Sequence, residues 1–248
     1  MPLRLLACSA LACSAALLAP VSWSAIWGYV DEQGRTHVAR EQLDERYQLF
    51  YKGDSSLDLA DTIKPPDAAA LEELRNSEFY QRVSNSPNFK RFEPLIRQHA
   101  KSQNLDPALV RAVITVESAF DPEALSPKGA LGLMQVIPET AARYGLTDDR
   151  KQTVVQKLLD PATNLRIGTR YLRDLLVLFA DDVSLALAAY NAGEKAVLRY
   201  NNRIPPYPET RDYVKVVRQL HALYQPPPPP APKPSSRITV PRRKAIPQ

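Results

Sequence analysis

One carboxylate stands out among the groups able to do chemistry. Glu117 ends the stretch Asp106-Pro107-Ala108-Leu109-Val110-Arg111-Ala112-Val113-Ile114-Thr115-Val116-Glu117, which has helical periodicity and almost no other charge. Asp106 suits the N-cap, and Pro107 suits the first helical position, where a missing N–H is no loss. Val110, Val113, Ile114 and Glu117 follow the i, i+3, i+4, i+7 rule, so the carboxylate points with the branched aliphatics, while Arg111, Thr115 and Ser118 form the polar stripe. A carboxylate withdrawn from water loses solvation of its charged form and is expected to hold its proton toward neutral pH, as a general acid must. The competing reading is a half-exposed helix-end residue or half of a structural ion pair.

Nine residues after Glu117 comes Ser126-Pro127-Lys128-Gly129-Ala130-Leu131-Gly132-Leu133-Met134-Gln135, a glycine-punctuated loop inside an otherwise helical region. Gly129 and Gly132 let backbone approach a ligand closely. Ser126 and Gln135 offer neutral donors and acceptors and Met134 a soft apolar wall, a surface suited to a sugar more than to a phosphate. An ordinary turn would explain the glycines but not the placement of Met134-Gln135. Further on, Ala188-Ala189-Tyr190-Asn191-Ala192-Gly193 ends a helix with a glycine cap. Tyr190 reads equally as a core aromatic with its hydroxyl at the rim and as a hydrogen-bond donor that orients Glu117.

Other chemistries find little support. Only three histidines exist, and none stands at a metal-ligand spacing or beside a serine motif. His99 shares a face with Phe92, Leu95 and Ile96 and reads as packed or surface-lying. The net charge of +5 is carried by the end of the chain: Lys233, Arg237, Arg242, Arg243 and Lys244 follow Gln225 with no acid among them. Residues 26–225 are near neutral and lack the basic stripe a nucleic acid requires.

The 248 residues divide by composition. Residues 1–25 read as an export signal: Arg4, an apolar run from Leu5 to Ala19 too short to span a bilayer, then small residues for cleavage. Cys8 and Cys13 both lie within it, and the apolar stretch before either is too short to favour a lipid-anchored alternative. Residues 26–60 form a small module, with strands at 26–30 and 35–39 around a turn and a helix from Glu41 to Phe50. Residues 61–87 are a linker punctuated by Pro65-Pro66, with a polar helical stretch from Asp67 to about Val83. Residues 88–225 form an all-α domain: a short helix from Pro138, a long one from Pro161 to Phe179, one capped by Asp182, and a last one opened by Tyr207-Pro208. In that last helix Tyr213, Val216, Val217, Leu220 and Leu223 face inward. Residues 226–248 start with five prolines and read as a disordered basic tail. It suits electrostatic contact with an anionic wall or membrane, or simply solvation.

These motifs together resemble the soluble Slt-type lytic transglycosylases, whose catalytic domain has the goose-type lysozyme fold. The resemblance covers about residues 88–224. Glu117-Ser118 matches that family's catalytic Glu-Ser, and Ser126 to Gln135 matches its Ser-Pro-x-Gly-Ala-x-Gly-Leu-Met-Gln run, with Pro138 and Thr140 in step. Asp160-Pro161, Asn164, Gly168, Tyr171 and Leu172 match its Asp-Pro-x-x-Asn-Ile-x-x-Gly pattern, with Leu165 in place of Ile. Ala189 to Gly193 matches the motif bearing its active-site tyrosine, and Glu209-Thr210-x-x-Tyr213-Val214 its closing helix. The fold implied is mainly α and lysozyme-like, with the small hairpin in front and the proline-rich tail behind; the hairpin resembles a small domain of unknown function from exported proteins.

The resemblance implies that Glu117 acts as acid and then as base, with Ser126, Met134, Gln135, Tyr190 and Asn191 lining a sugar groove. It implies no cofactor, and no acidic loop for the calcium of some relatives is found. Ordinary glycosidases use two carboxylates. Asp121 and Glu123 follow the helix, where exposure is the default, so Glu117 stands alone. One carboxylate suffices if the C6 hydroxyl of the muramyl ring is the nucleophile, because that group arrives at high effective concentration. The expected activity is cleavage of the N-acetylmuramic acid to N-acetylglucosamine bond of peptidoglycan, leaving 1,6-anhydromuramic ends, by an exported enzyme of the periplasm or cell envelope. The rivals are a muramidase that hydrolyses the same bond and a non-catalytic peptidoglycan-binding envelope protein.

Overall fold

The computed structural model describes residues 68–226 throughout and, as backbone, the segments 25–30, 36–39 and 48–52 with the turn at 45–46. The export-signal reading of residues 1–25 apart from Ala25, the linker at Pro65-Pro66, and the tail reading of residues 226–248 apart from Pro226 lie outside the described residues.

Three strands, β1 (Ala25–Val30), β2 (Thr36–Ala39) and β3 (Gln48–Lys52), form an antiparallel sheet in the order β2-β1-β3. Val30 pairs with Thr36 and Trp27 with Ala39, the hairpin expected from the sequence. The helix expected over Glu41 to Phe50 is not what forms: Gln48 to Lys52 are a strand on the other edge of β1. A two-stranded hairpin leaves the outer edge of each strand without a partner and is marginal in water. The aromatic-rich run Leu49-Phe50-Tyr51 has the β-propensity to supply a third strand. β2 passes beside the helix that carries Glu117.

Ten helices follow. α1 (Ala68–Asn76) and α2 (Glu78–Asn85) are separated at Ser77, whose hydroxyl caps α2 by accepting the Tyr80 amide. Leu74, Phe79 and Val83 are buried in the same core as the rest, so the helical domain begins well before residue 88. α3 is Pro87–Ser102, α4 Pro107–Ser118, α5 Pro138–Arg143, α6 Val154–Leu158, α7 Pro161–Leu178, α8 Val183–Ala192, α9 Glu194–Arg199 and α10 Pro208–Tyr224. The start signals read from sequence operate as caps: Asp106, Asp160 and Asp182 each accept a main-chain N–H of the first turn, and proline stands first in α3, α4, α5, α7 and α10.

α4 is the axis of the domain, lying against α3 and α10, while α10 also packs on α8 and α8 on α7. Val110, Ala112, Val113 and Ile114 are completely buried. Burial of each large aliphatic contributes about 1.5–3 kcal/mol. The expected polar stripe of α4 is a correction: Thr115 and Ser118 are also buried. A helix surrounded by others has no solvent face, and its hydroxyls turn to carbonyls instead. Thr115 donates to the Arg111 carbonyl at 2.8 Å and Ser118 to that of Leu133 at 2.8 Å. Among the described residues no helix is long and apolar enough to cross a membrane.

Candidate active site

Glu117 lies in the last turn of α4, half-buried. The helix stops one residue later because Ala119 and Phe120 both take left-handed backbone, with φ of 47° and 68°. Neither is glycine, so each such conformation costs about 1–2 kcal/mol. Tertiary contacts hold them there: the Phe120 ring is fully buried with its centroid 4.9 Å from that of Phe89, and Asn88 donates to the Phe120 carbonyl.

The carboxylate is held from α10. Tyr213, itself buried, donates its hydroxyl to Glu117 Oε1 at 2.6 Å. A hydroxyl-to-carboxylate bond this short is among the stronger protein hydrogen bonds. Tyr190 does not donate to Glu117. Its hydroxyl goes to the Met134 carbonyl at 2.7 Å. Desolvation pushes the Tyr190 phenol well above its ordinary value, and the nearby Glu117 charge adds to the effect, so it stays a neutral donor at the edge of the site.

The loop from Ser126 to Gln135 is built on Asn164 of α7, which is fully buried and fully used. Its Oδ1 accepts the Met134 amide at 2.8 Å, and its Nδ2 donates to the carbonyls of Leu131 and Leu158 at 2.8 and 2.9 Å. Gly132 is required at this contact. Its φ is +69°, and a Cβ there would stand 2.5 Å from Asn164 Nδ2. Ser118 ties the same loop to α4 through the Leu133 carbonyl.

The expected groove residues divide. Met134 is not a wall of the groove. It is fully buried and packs on Gly168, where an added Cβ would meet its sulfur at 2.6 Å. The thioether fills the core behind the loop. Ser126 and Gln135 are half-exposed, and each braces the loop: Ser126 Oγ accepts the Ala130 amide at 3.0 Å, and Gln135 Nε2 donates to the carbonyls of Ala124 and Gly132. Gln135 has φ of 47°, which aims its side chain back over the loop. Asn191 is half-exposed, and its Oδ1 accepts the Thr210 hydroxyl at 2.9 Å. Of the two acids after α4, Glu123 is exposed as expected, but Asp121 is buried; its Oδ1 accepts the Glu123 amide and closes the turn.

Tyr213 is the residue that sequence reasoning placed merely as inward-facing. The available signal was a phenol within the aliphatic stripe Tyr213, Val216, Val217, Leu220, since a buried hydroxyl needs a partner. Among the described residues no three His, Cys, Asp or Glu side chains converge on a point that a metal ion would occupy.

The arrangement is one carboxylate at the end of an apolar helix, a phenol fixing one of its oxygens, and a rigid polar loop alongside. Known proteins are similar to this chain over most of the residues that build it. The transglycosylase SLT domain family matches residues 94–208. The membrane-bound lytic murein transglycosylase C of Haemophilus influenzae (strain PittGG) is 35% identical over 119 residues, which are 44% of this chain and 33% of that protein. The soluble lytic murein transglycosylase of Salmonella typhimurium (strain LT2) is 33% identical over 150 residues, 54% of this chain and 23% of its own. This chain therefore spans a third or less of the length of these relatives. Among solved structures, an inactive mutant of lytic transglycosylase Slt from Pseudomonas aeruginosa superposes with a TM-score of 0.50 at 29% identity, covering 62% of this chain and 27% of that one. The 70-kDa soluble lytic transglycosylase of Escherichia coli gives 0.50 at 28% identity with the same coverage, and a 70-kDa soluble lytic transglycosylase in complex with bulgecin A gives 0.50 at 27%. From α3 to the start of α10, this chain is similar to the Slt-type lytic transglycosylases in both sequence and fold.

Proposed function

We propose that the protein is a peptidoglycan lytic transglycosylase with Glu117 as its acid and base. The observation that carries this reading is the Glu117 carboxylate at the end of buried α4, within the residues that match the SLT domain family, with one oxygen gripped by Tyr213. Protonated Glu117 gives its proton to the glycosidic oxygen between N-acetylmuramic acid and N-acetylglucosamine as that C–O bond breaks. The resulting carboxylate takes the proton from the muramyl C6 hydroxyl, whose oxygen closes onto C1 of the same ring. No water is consumed, and Glu117 ends protonated as it began. An intramolecular nucleophile needs no second carboxylate to activate it. Ser126, Gln135, Tyr190 and Asn191 border the sugar groove, with Met134 contributing backbone rather than side chain. The substrate places the enzyme in the cell envelope, which agrees with an export signal at residues 1–25; the basic tail would rest on an anionic wall or membrane.

The test is to digest purified sacculi and weigh the new muramic termini. Ends lighter by one water support the proposal, reducing ends show hydrolysis by a muramidase, and no new ends indicate a binding protein. Glu117→Gln is expected to abolish release while retaining sugar binding.

A further inference from the structure

Away from Glu117, the surface carries an aromatic pair that neither the core nor the proposed chemistry uses. Tyr200 closes α9 and Tyr207 precedes α10, and their rings meet edge to face with centroids 5.8 Å apart. Tyr200 is 36% exposed, an unusual position for a large aromatic, and Tyr207 is half-exposed. The intervening segment is stiff. Asn201 and Asn202 both have φ of 55°, their amides return to the carbonyls of Leu198 and Val197, and Arg203 donates to Tyr200. Pro205 is buried, and Pro206 and Pro208 flank Tyr207, which restricts the backbone on both sides of that ring. Two rings are thus held at the surface with little conformational freedom to lose on binding.

Their place in the fold sets their distance from the carboxylate. Along α10 from the catalytic carboxylate come Tyr213 on Glu117, then Thr210 on Asn191, then Tyr207 beside Tyr200. Successive members are three residues apart, so the pair lies about 9 Å along the helix axis from the Tyr213 position. A pyranose ring has an apolar C–H face and a polar edge. A tyrosine pair offers the complement, an apolar ring face with a hydroxyl at its rim.

We propose that Tyr200 and Tyr207 form a stacking platform for a sugar of the same glycan strand distant from the bond being broken, so that the groove grips long strands better than short ones. This rests on the reading of the protein as a glycan-cleaving enzyme and adds a second point of contact to it.

The test uses the full chain with Glu117→Gln, so that nothing turns over, titrated with β-1,4-linked N-acetylglucosamine oligomers of two to six sugars. Affinity is expected to rise with length. In the Tyr200→Ala/Tyr207→Ala form it should fall by about tenfold for the hexamer and stay unchanged for the dimer. Tyr207→Phe, which keeps the ring, should retain most of the gain. Tyr200→Leu/Tyr207→Leu keeps the apolar volume and should lose the gain as the alanine form does, which covers the case where alanine disturbs folding. An unaltered length dependence in both double variants, an equal loss at every length, or no binding of any oligomer would overturn the platform. The sacculus digest decides the enzymatic reading independently, since wild-type protein can release anhydromuramic ends whether or not the platform exists.

Discussion

At the level of single residues, Glu117 and Tyr213 act as one unit across two helices. The phenol holds the carboxylate in one rotamer at a cost in entropy that folding has already met, so turnover does not have to meet it again. Tyr213→Phe removes the 2.6 Å bond but keeps the ring that fills the core. It is expected to lower kcat by about ten- to a hundredfold with KM little changed, because positioning matters most in the transition state; steady-state kinetics on soluble glycan strands would show the split. One position away, Asp212 gives an effect of opposite kind. Desolvation pushes its carboxyl up to about 6, against the pull of Lys215 and with the help of Glu209. An acid with a raised folded-state pKa favours the folded protein when protonated, so its ionisation costs stability as pH rises from about 4 through 6. Asp212→Asn should therefore raise Tm at pH 7 and leave it unchanged near pH 4, as thermal melts at the two pH values would show. The catalytic candidate was legible because a carboxylate interrupts an apolar stripe. Its partner was not, because nothing local brings Tyr213 beside a residue 96 positions earlier.

At the level of elements, α4 is held at both ends by α10. Near Glu117 the tie is Tyr213; at the other end Asp106 accepts from the Ala108 amide as N-cap while its second oxygen meets the His221 ring at 2.7 Å and the Gln225 amide. Burial pushes the Asp106 carboxyl upward, but these hydrogen bonds outweigh it and hold it below its ordinary value. A depressed carboxylate stabilises the fold above its unfolded pKa, and that stability is lost as pH falls below about 4. Asp106→Ala is expected to cost about 1 kcal/mol at neutral pH and to flatten the acid limb of the stability profile, measured by urea denaturation across pH. The loop depends on α7 in the same way. Gly168→Ala would drive a methyl against Met134, which the packed core cannot yield to freely, so despite alanine's better helix propensity it should destabilise by about 1–3 kcal/mol. The same denaturation curves read that change.

At the level of the whole molecule, the helical core gathers residues from Leu74 to Tyr224, and the site is where its parts converge. α1 and α2 belong to that core: Tyr80 stacks on Tyr224, with centroids 5.9 Å apart, and Arg111 lies over the same Tyr224 ring. Truncation at residue 87 should therefore lower Tm and expose apolar surface, seen as increased binding of a hydrophobic dye. The sequence by itself determined the helix starts, through aspartate and proline at their first positions, and the choice of candidate acid, through its period. Both are local: a cap touches its own first turn, and a helical face is set by spacing along one segment. Only the tertiary structure decided that Met134 faces the core, that Thr115 and Ser118 are buried, that Gln48 to Lys52 form a strand rather than the end of a helix, and that Tyr213 rather than Tyr190 holds Glu117. Each of these turns on a partner supplied from elsewhere in the chain. Spacing gives the direction in which a side chain leaves its own helix, and only packing gives what it meets.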